Sequence, residues 1–319
     1  MPANWLFWVL FHVFVLAALA LDLGVFHRKA RVISFREALA WTAIWIALAT
    51  LFAVLIYLFG HVMTGRPERP TRVLTLEFIT GYVVEEALSV DNLFVFLLLF
   101  RYFGVAGEYQ HKVLFWGILG ALVTRAVFIL TGVSLVNRFH WVIYLFGAFL
   151  VYAGAKLLVQ KDEDQIDPEN SAVARFFRRH VAMVPDYADG RFFVHWEGKR
   201  HATLLALVMI VVETTDVVFA TDSIPAILAI SRDSFIVYTS NVFAILGLRS
   251  LFFALAGMMK MFHLLHYGLA VILIFIGAKM LASSWWEIPT GWTLATVAGV
   301  LALSVALSLA FPEKLENME

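Results

Sequence analysis

The sequence predicts an all-α protein, a polytopic bundle of about nine transmembrane helices that contains an inverted repeat of three. Three observations predict it. Of 319 residues, 61% are hydrophobic and 15% charged, whereas soluble domains run about 45–50% apolar and about 25% charged. Nine long apolar stretches, close to the roughly 20 residues a bilayer requires, absorb that excess. A set of residues in the third to fifth stretches recurs in the sixth to eighth.

In order, the stretches are 5–26, 38–60, 78–100, 113–135, 141–159, 204–230, 235–259, 267–281 and 289–311. The first has no basic region ahead of it, carries Asp22 near its end and is followed by no small-residue cleavage pattern. It is therefore expected to be a retained helix rather than a signal peptide. The whole chain, 1–319, reads as one transmembrane domain. Its longest connection, 160–201, mixes the acidic run Lys161-Asp-Glu-Asp with a basic amphipathic stretch around Arg175, Arg178 and Arg179. That connection is too polar to span and too short to fold alone, and is expected to be a solvated cytoplasmic loop with one surface helix. Alternate connections, starting with the one after the first stretch, hold 15 Lys and Arg against 5 in the other set. Positive charge stays on the cytoplasmic side, so the N-terminus is expected outside, the C-terminus and 160–201 inside, and the membrane is the cell membrane.

The repeat is legible in three places. Phe139-His140 through Gly154-Ala-Lys156 recurs as Phe262-His263 through Gly277-Ala-Lys279, with 17 residues from Phe to Lys in both. Ile118-Leu-Gly120 ahead of Arg125 pairs with Ile245-Leu-Gly247 ahead of Arg249, and Glu85 and Asp91 stand six apart, as do Asp216 and Asp222. Repeat A covers about 76–159 and repeat B about 202–282. Three is odd, so the copies run in opposite directions through the membrane, and inverted repeats place a substrate site at their interface near the midplane.

Seven carboxylates fall within stretches: Asp22, Glu85, Glu86, Asp91, Glu213, Asp216 and Asp222, against the four cations Arg125, Arg249, Lys156 and Lys279. Each charge costs about 2.5–3.5 kcal/mol at a membrane helix centre, so the acids need partners, protons or a bound cation. Lys156 and Lys279, near helix ends, are expected to snorkel toward the interface. At 100° per residue Glu85, Ser89 and Asn92 share a helix face, and Glu213 and Asp216 lie one turn apart. Pro225 withholds a hydrogen bond from Thr221, so unwinding after Asp222 is expected, freeing carbonyls as ligands. Carboxylate, carbonyl, Asn and Ser oxygens are hard donors suited to magnesium, calcium or manganese. Glu86, turned away from Glu85, is read as a protonated or lipid-rim acid. Asp22 stands near the cytoplasmic end of its stretch, where an entrance ligand would sit, and His12 reads as a packing residue.

Other chemistries are excluded by composition. With no Cys there are no disulfides, thiolate metal sites or Cys nucleophiles, and a formal net charge of zero lacks the footprint of a nucleic-acid binder. No catalytic constellation or organic cofactor motif appears, so the chain does not read as an enzyme. An intramembrane aspartyl protease fits poorly, because the acids form no isolated dyad.

At Glu85-Glu-Ala-Leu-Ser-Val-Asp91-Asn92, at Glu213-Thr-Thr-Asp216 through Asp222-Ser-Ile-Pro225, and at Thr239-Ser-Asn241 through Arg249, the chain resembles the TerC/Alx family of bacterial integral membrane proteins. The resemblance extends from about Leu21 to Leu281. That family takes its name from tellurium resistance, and members resembling Alx are associated with manganese export from the cytoplasm. The resemblance implies a metal site of Glu85, Asp91, Asn92, Glu213, Asp216 and Asp222, with Asp22 as an addition. Glu86 departs from the family pattern, which has Lys there. The competing expectation is a membrane scaffold or regulator in tellurite or envelope-stress resistance, acting through membrane-protein partners around a fixed structural ion site.

Overall fold

The structure, a computed structural model, describes residues 5–26, 34–139, 141–159, 172–184, 186–196, 198–256, 264–286 and 288–311. His140, Phe262, His263, Lys161, Lys314 and the side chains of Asp22, Asp91, Arg178 and Asp222 lie outside this description.

Each apolar stretch forms a helix. These are α1 (Trp5–Phe26), α2 (Phe35–Thr64), α3 (Thr71–Tyr102), α4 (Gly107–Arg138) and α5 (Val142–Val159), then, after a short α6 (Ala172–His180), α7 (Leu204–Leu228), α8 (Ser234–Ala256), α9 (Leu265–Leu281) and α10 (Thr290–Ala310). By length and composition α2, α4, α5, α7, α8 and α10 can each cross a membrane, whereas Trp5–Leu21 and Leu265–Leu281 are shorter apolar helices. The 32-residue α3 is continuous, but its apolar run is broken by Glu77, Glu85, Glu86 and Asp91. Local chemistry sets several ends. Ser34 accepts from the Glu37 amide and Gly65, at φ 67°, closes α2, while Thr203 accepts from the Ala206 amide at the start of α7. Such caps satisfy amides that a helix leaves unpaired. Asp233 Oδ1 accepts from the amides of Phe235 at 3.0 Å and Ile236 at 3.2 Å, starting α8.

Two expectations are corrected here. α7 runs unbroken through Pro225, so no carbonyls are freed by unwinding; packed neighbours let membrane helices tolerate a proline. The connection before α7 is not only a linker with a helix. Phe193–Trp196 and Lys199–Ala202 form an antiparallel hairpin, β1 and β2, so the fold is helical with one small sheet. Lys112 Nζ donates to the Gly190 carbonyl at 2.6 Å and the Tyr187 hydroxyl donates to the Phe103 carbonyl, tying this segment to α3 and α4. We call this the hairpin end of the bundle. The opposite end, carrying the α2–α3 and α7–α8 connections, is the turn end.

At the centre stands α8, almost wholly buried and packed against α2, α3 and α4. Its Phe243 meets Phe52 of α2 at 4.9 Å between ring centroids, and Phe11 of α1 at 5.9 Å. α4 lies along α7, and α5 along α9. The α5–α9 contact is close enough that a Cβ on Gly147 would meet the Gly277 carbonyl at 3.0 Å and one on Gly154 the Ala270 carbonyl at 2.7 Å. The outer surface is apolar, with Leu16, Val123 and Tyr152 each more than 60% exposed, and Trp285, Trp286 and Trp292 are exposed around the α9–α10 connection. Amphipathic rings at that position suit the membrane–water interface. Lys156 is exposed as expected, but Lys279 is not a snorkelling side chain: its Nζ donates to Thr293 Oγ1 at 2.9 Å, joining α9 to α10.

Candidate functional site

Glu85, Arg125 and Asp216 each sit close to the middle of their helices, α3, α4 and α7. All three are buried, with the Arg125 side chain 1% exposed and that of Glu85 0%. Arg125 Nη1 pairs with Glu85 Oε1, and Nη2 reaches Asp216 Oδ1 at 3.4 Å. Thus one guanidinium ties a carboxylate of α3 to a carboxylate of α7. With Glu213 and Arg249 on the adjoining cavity, three described acids stand against two described cations, and Glu85 Oε2, Asp216 Oδ2 and Arg125 Nε have no hydrogen-bond partner among the described residues. A buried acceptor without a partner costs about 1–3 kcal/mol, so a structural ion pair alone accounts poorly for two of them.

The expected face of α3 is formed. Ser89 Oγ donates to Glu85 Oε1 at 3.4 Å, and Asn92, one turn further, is 6% exposed. Glu213 lies one turn from Asp216 and packs against Gly120 of α4 so tightly that a Cβ there would overlap the carboxylate. Glu213 and Asp216 line a cavity with Phe96, Ile118, Val212 and Arg249, on the hairpin side of Glu85. Its walls are mostly apolar and its volume is about 20 Å³, room for about one water molecule.

Glu86 corrects another expectation. It is not at the lipid rim: Tyr82 OH donates to its Oε1 at 2.8 Å, and a Cβ on Gly247 of α8 would meet that oxygen at 3.3 Å. The contacts Gly120–Glu213 and Gly247–Glu86 interchange when positions are shifted by 127, the offset between Ile118 and Ile245.

Sequence reading missed a polar cluster at the turn end. Glu77 of α3, 6% exposed, accepts from Arg69 Nη2 and from Ser231 Oγ, the latter at 2.6 Å. Asp233, 3% exposed, pairs with Arg66 Nε at 3.2 Å. Asn241 of α8 is also fully buried, with both amide atoms lacking hydrogen-bond partners among the described residues. Asp91, Asp222 and Asp22, expected as ligands, have side chains outside the description. Among the described residues no three His, Asp or Glu side chains form a ready-made metal cage. Glu85 and Asp216 instead meet at Arg125.

The integral membrane protein TerC family model matches residues 71–316. An uncharacterized membrane protein of Myxococcus xanthus is 46% identical over 303 residues, covering 95% of this chain and 91% of the relative. The protein provisionally named membrane-bound redox modulator Alx in Escherichia coli (strain K12) is 43% identical over 305 residues, covering 95% and 94%. An uncharacterized membrane protein of Rickettsia bellii is 38% identical over 302 residues, covering 95% and 96%. No solved structure matches the chain.

Proposed function

This chain belongs to the integral membrane protein TerC family, and from that premise we propose that it exports a divalent metal ion, manganese, from the cytoplasm by alternating access. The observation that carries the reading is the meeting of Glu85 and Asp216, from two different helices, at mid-bundle with an unpaired oxygen on each. Hard oxygen donors of net negative charge are what a divalent cation needs as it sheds water. The ligands we assign are Glu85, Asn92, Glu213 and Asp216, with Asp91, Asp222 and Asp22 carried over from the resemblance; calcium and magnesium suit the same donors.

Two features support alternating access. Nine spans arranged as an inverted repeat agree with the paired contacts: Gly147–Gly277 and Gly154–Ala270 interchange at the offset of 123 that relates Phe139 to Phe262, as the notches around Glu213 and Glu86 do at 127. Such exchange is what a pseudo-two-fold axis in the membrane plane produces. Further, the cavity lies on the hairpin side of the site and the ion-pair cluster on the other. The sequence count of Lys and Arg assigns the connection 160–201, which carries the hairpin, to the cytoplasm, so this form accepts its cargo from the cytoplasm. Moving each positive charge outward against an inside-negative potential costs about 2.3 kcal/mol per 100 mV, and proton entry through one of the remaining carboxylates would drive it. The redox role in the relatives' name has no thiol to run on here, since the chain has no Cys.

The test is manganese flux in proteoliposomes. Wild-type protein should move manganese and leave zinc, and Asp216→Asn should lower flux at least a hundredfold while inserting normally. A flux no greater than empty liposomes, or a deletion strain with unchanged manganese content, would sink the exporter and leave the scaffold reading. Orientation has its own check in this Cys-free background. Cysteines placed at the exposed Lys199 of the hairpin and at Asn317 should react with an impermeant reagent only after permeabilisation, and reaction in intact cells would reverse the assigned topology.

A further inference from the structure

We propose that Arg125 is a tethered exchange cation: its guanidinium occupies the carboxylates when no metal is bound, and an arriving metal ion displaces it. The inference rests on the transport reading above and adds how the unloaded carrier returns. A buried pair of acids stripped of its cation is expensive, so a carrier that has released its ion must find another positive charge before its site can cross the midplane again. Protonation is one solution. Arg125 is a second, already in place, and an arginine cannot be silenced by losing its proton.

The geometry is that of a displaceable cation rather than a permanent clamp. The Arg125 contact with Glu85 is close, but the one to Asp216 is single and long at 3.4 Å, against the roughly 2.7–2.9 Å of a strong charge-assisted bond. Arg125 Nε, Glu85 Oε2 and Asp216 Oδ2 remain without hydrogen-bond partners among the described residues. A fork engaged bidentately with one carboxylate would at least pair both oxygens of that acid, and here neither acid has both oxygens paired. The loose contact also faces the cavity, since Asp216 lines it, so an ion arriving by that route meets the weakly held carboxylate first. Taking Asp216 and then Glu85, the ion replaces one positive charge by two. Because Glu85 and Asp216 stand on α3 and α7, the helices that the repeat relates, the same exchange substitutes one bridge between the halves for another.

Manganese affinity, measured calorimetrically in detergent, and two transport modes in proteoliposomes test this. Net export requires the unloaded carrier to return, whereas manganese–manganese exchange requires only the loaded one. With Arg125→Gln there is no cation to displace, so affinity should rise at least tenfold, within the range of coupling between competing ligands. Net export should fall at least tenfold while exchange persists. Arg125→Lys keeps a cation on a different head group, and should bind more tightly than wild type while retaining more net export than the Gln variant. This second variant decides the question where Arg125→Gln fails to insert. Weaker or unchanged affinity in an inserted variant, or parallel loss of exchange and net export, overturns the displaced guanidinium. A wild-type protein that neither binds nor moves manganese would instead remove the transport reading on which the inference stands.

Discussion

At the turn end of the bundle, Glu77 and Asp233 are held by Arg69, Ser231 and Arg66 through directional polar contacts, whereas at the hairpin end the same helices face a cavity walled mainly by apolar side chains and glycine. α3, α7 and α8 reach both ends; at the hairpin end α4 also walls the cavity, and the polar ties from Lys112 to Gly190 and from Tyr187 to Phe103 lie outside it. Apolar walls slide past one another at little cost. A carboxylate bonded at both oxygens must lose both contacts before α3 can part from the α7–α8 connection. In a carrier this asymmetry favours the form open toward the hairpin end.

The comparison breaks most readily at the turn end. Glu77→Gln combined with Asp233→Asn leaves Arg69 and Arg66 without anionic partners, and a part-buried charge-assisted contact is worth about 1.5–3 kcal/mol. A bias of only 1.4 kcal/mol is a tenfold change in population. Thr80, fully buried one turn below Glu77, is a natural reporter. Thr80→Cys in the Cys-free chain should react with a thiol reagent at least tenfold faster in the double variant than in the parent. Equal rates would mean that something other than this cluster closes the turn end.

How much of this was legible in the sequence depends on which force placed each residue. Apolar stretches located the helices, six of which are long and apolar enough to cross a membrane among the described residues, and the 100° step put Glu85, Ser89 and Asn92 on one face. The turn-end cluster was missed for a related reason. The apolar runs begin at Phe78 and Phe235 and so leave Glu77 and Asp233 in loops, yet α3 begins at Thr71 and Asp233 caps α8. An aspartate just ahead of an apolar run is a cap signal that could have found the second. Glu86 was misplaced because helical angles say which way a side chain points along its own helix but not which neighbour stands there; α8 does. Pro225 looked like a break because its missing hydrogen bond is a local fact, whereas tolerance of that loss comes from packing. The hairpin, four residues a strand and rich in charge, offers too little periodicity to stand out beside the long helices.

A finer contrast lies in the two glycine notches, Gly120 against Glu213 and Gly247 against Glu86. Gly120 leaves no room for a methyl group beside the Glu213 carboxylate, while at Gly247 the added carbon would stand 3.3 Å from Glu86 Oε1, a distance the tip of a side chain relieves by moving a few tenths of an ångström. Gly120→Ala should therefore push Glu213 out of its place and cost about 1–3 kcal/mol, the usual penalty of overpacking, and Gly247→Ala should cost less than about 1 kcal/mol. Glu213 lines the cavity and Glu86 is fixed by Tyr82, so only the first variant should also weaken manganese binding. Unfolding midpoints and manganese affinities of the two variants in the same detergent measure both quantities. Equal losses at the two glycines would show that the halves carry their carboxylates alike, and that the difference between the ends of the bundle resides in the Glu77 and Asp233 cluster alone.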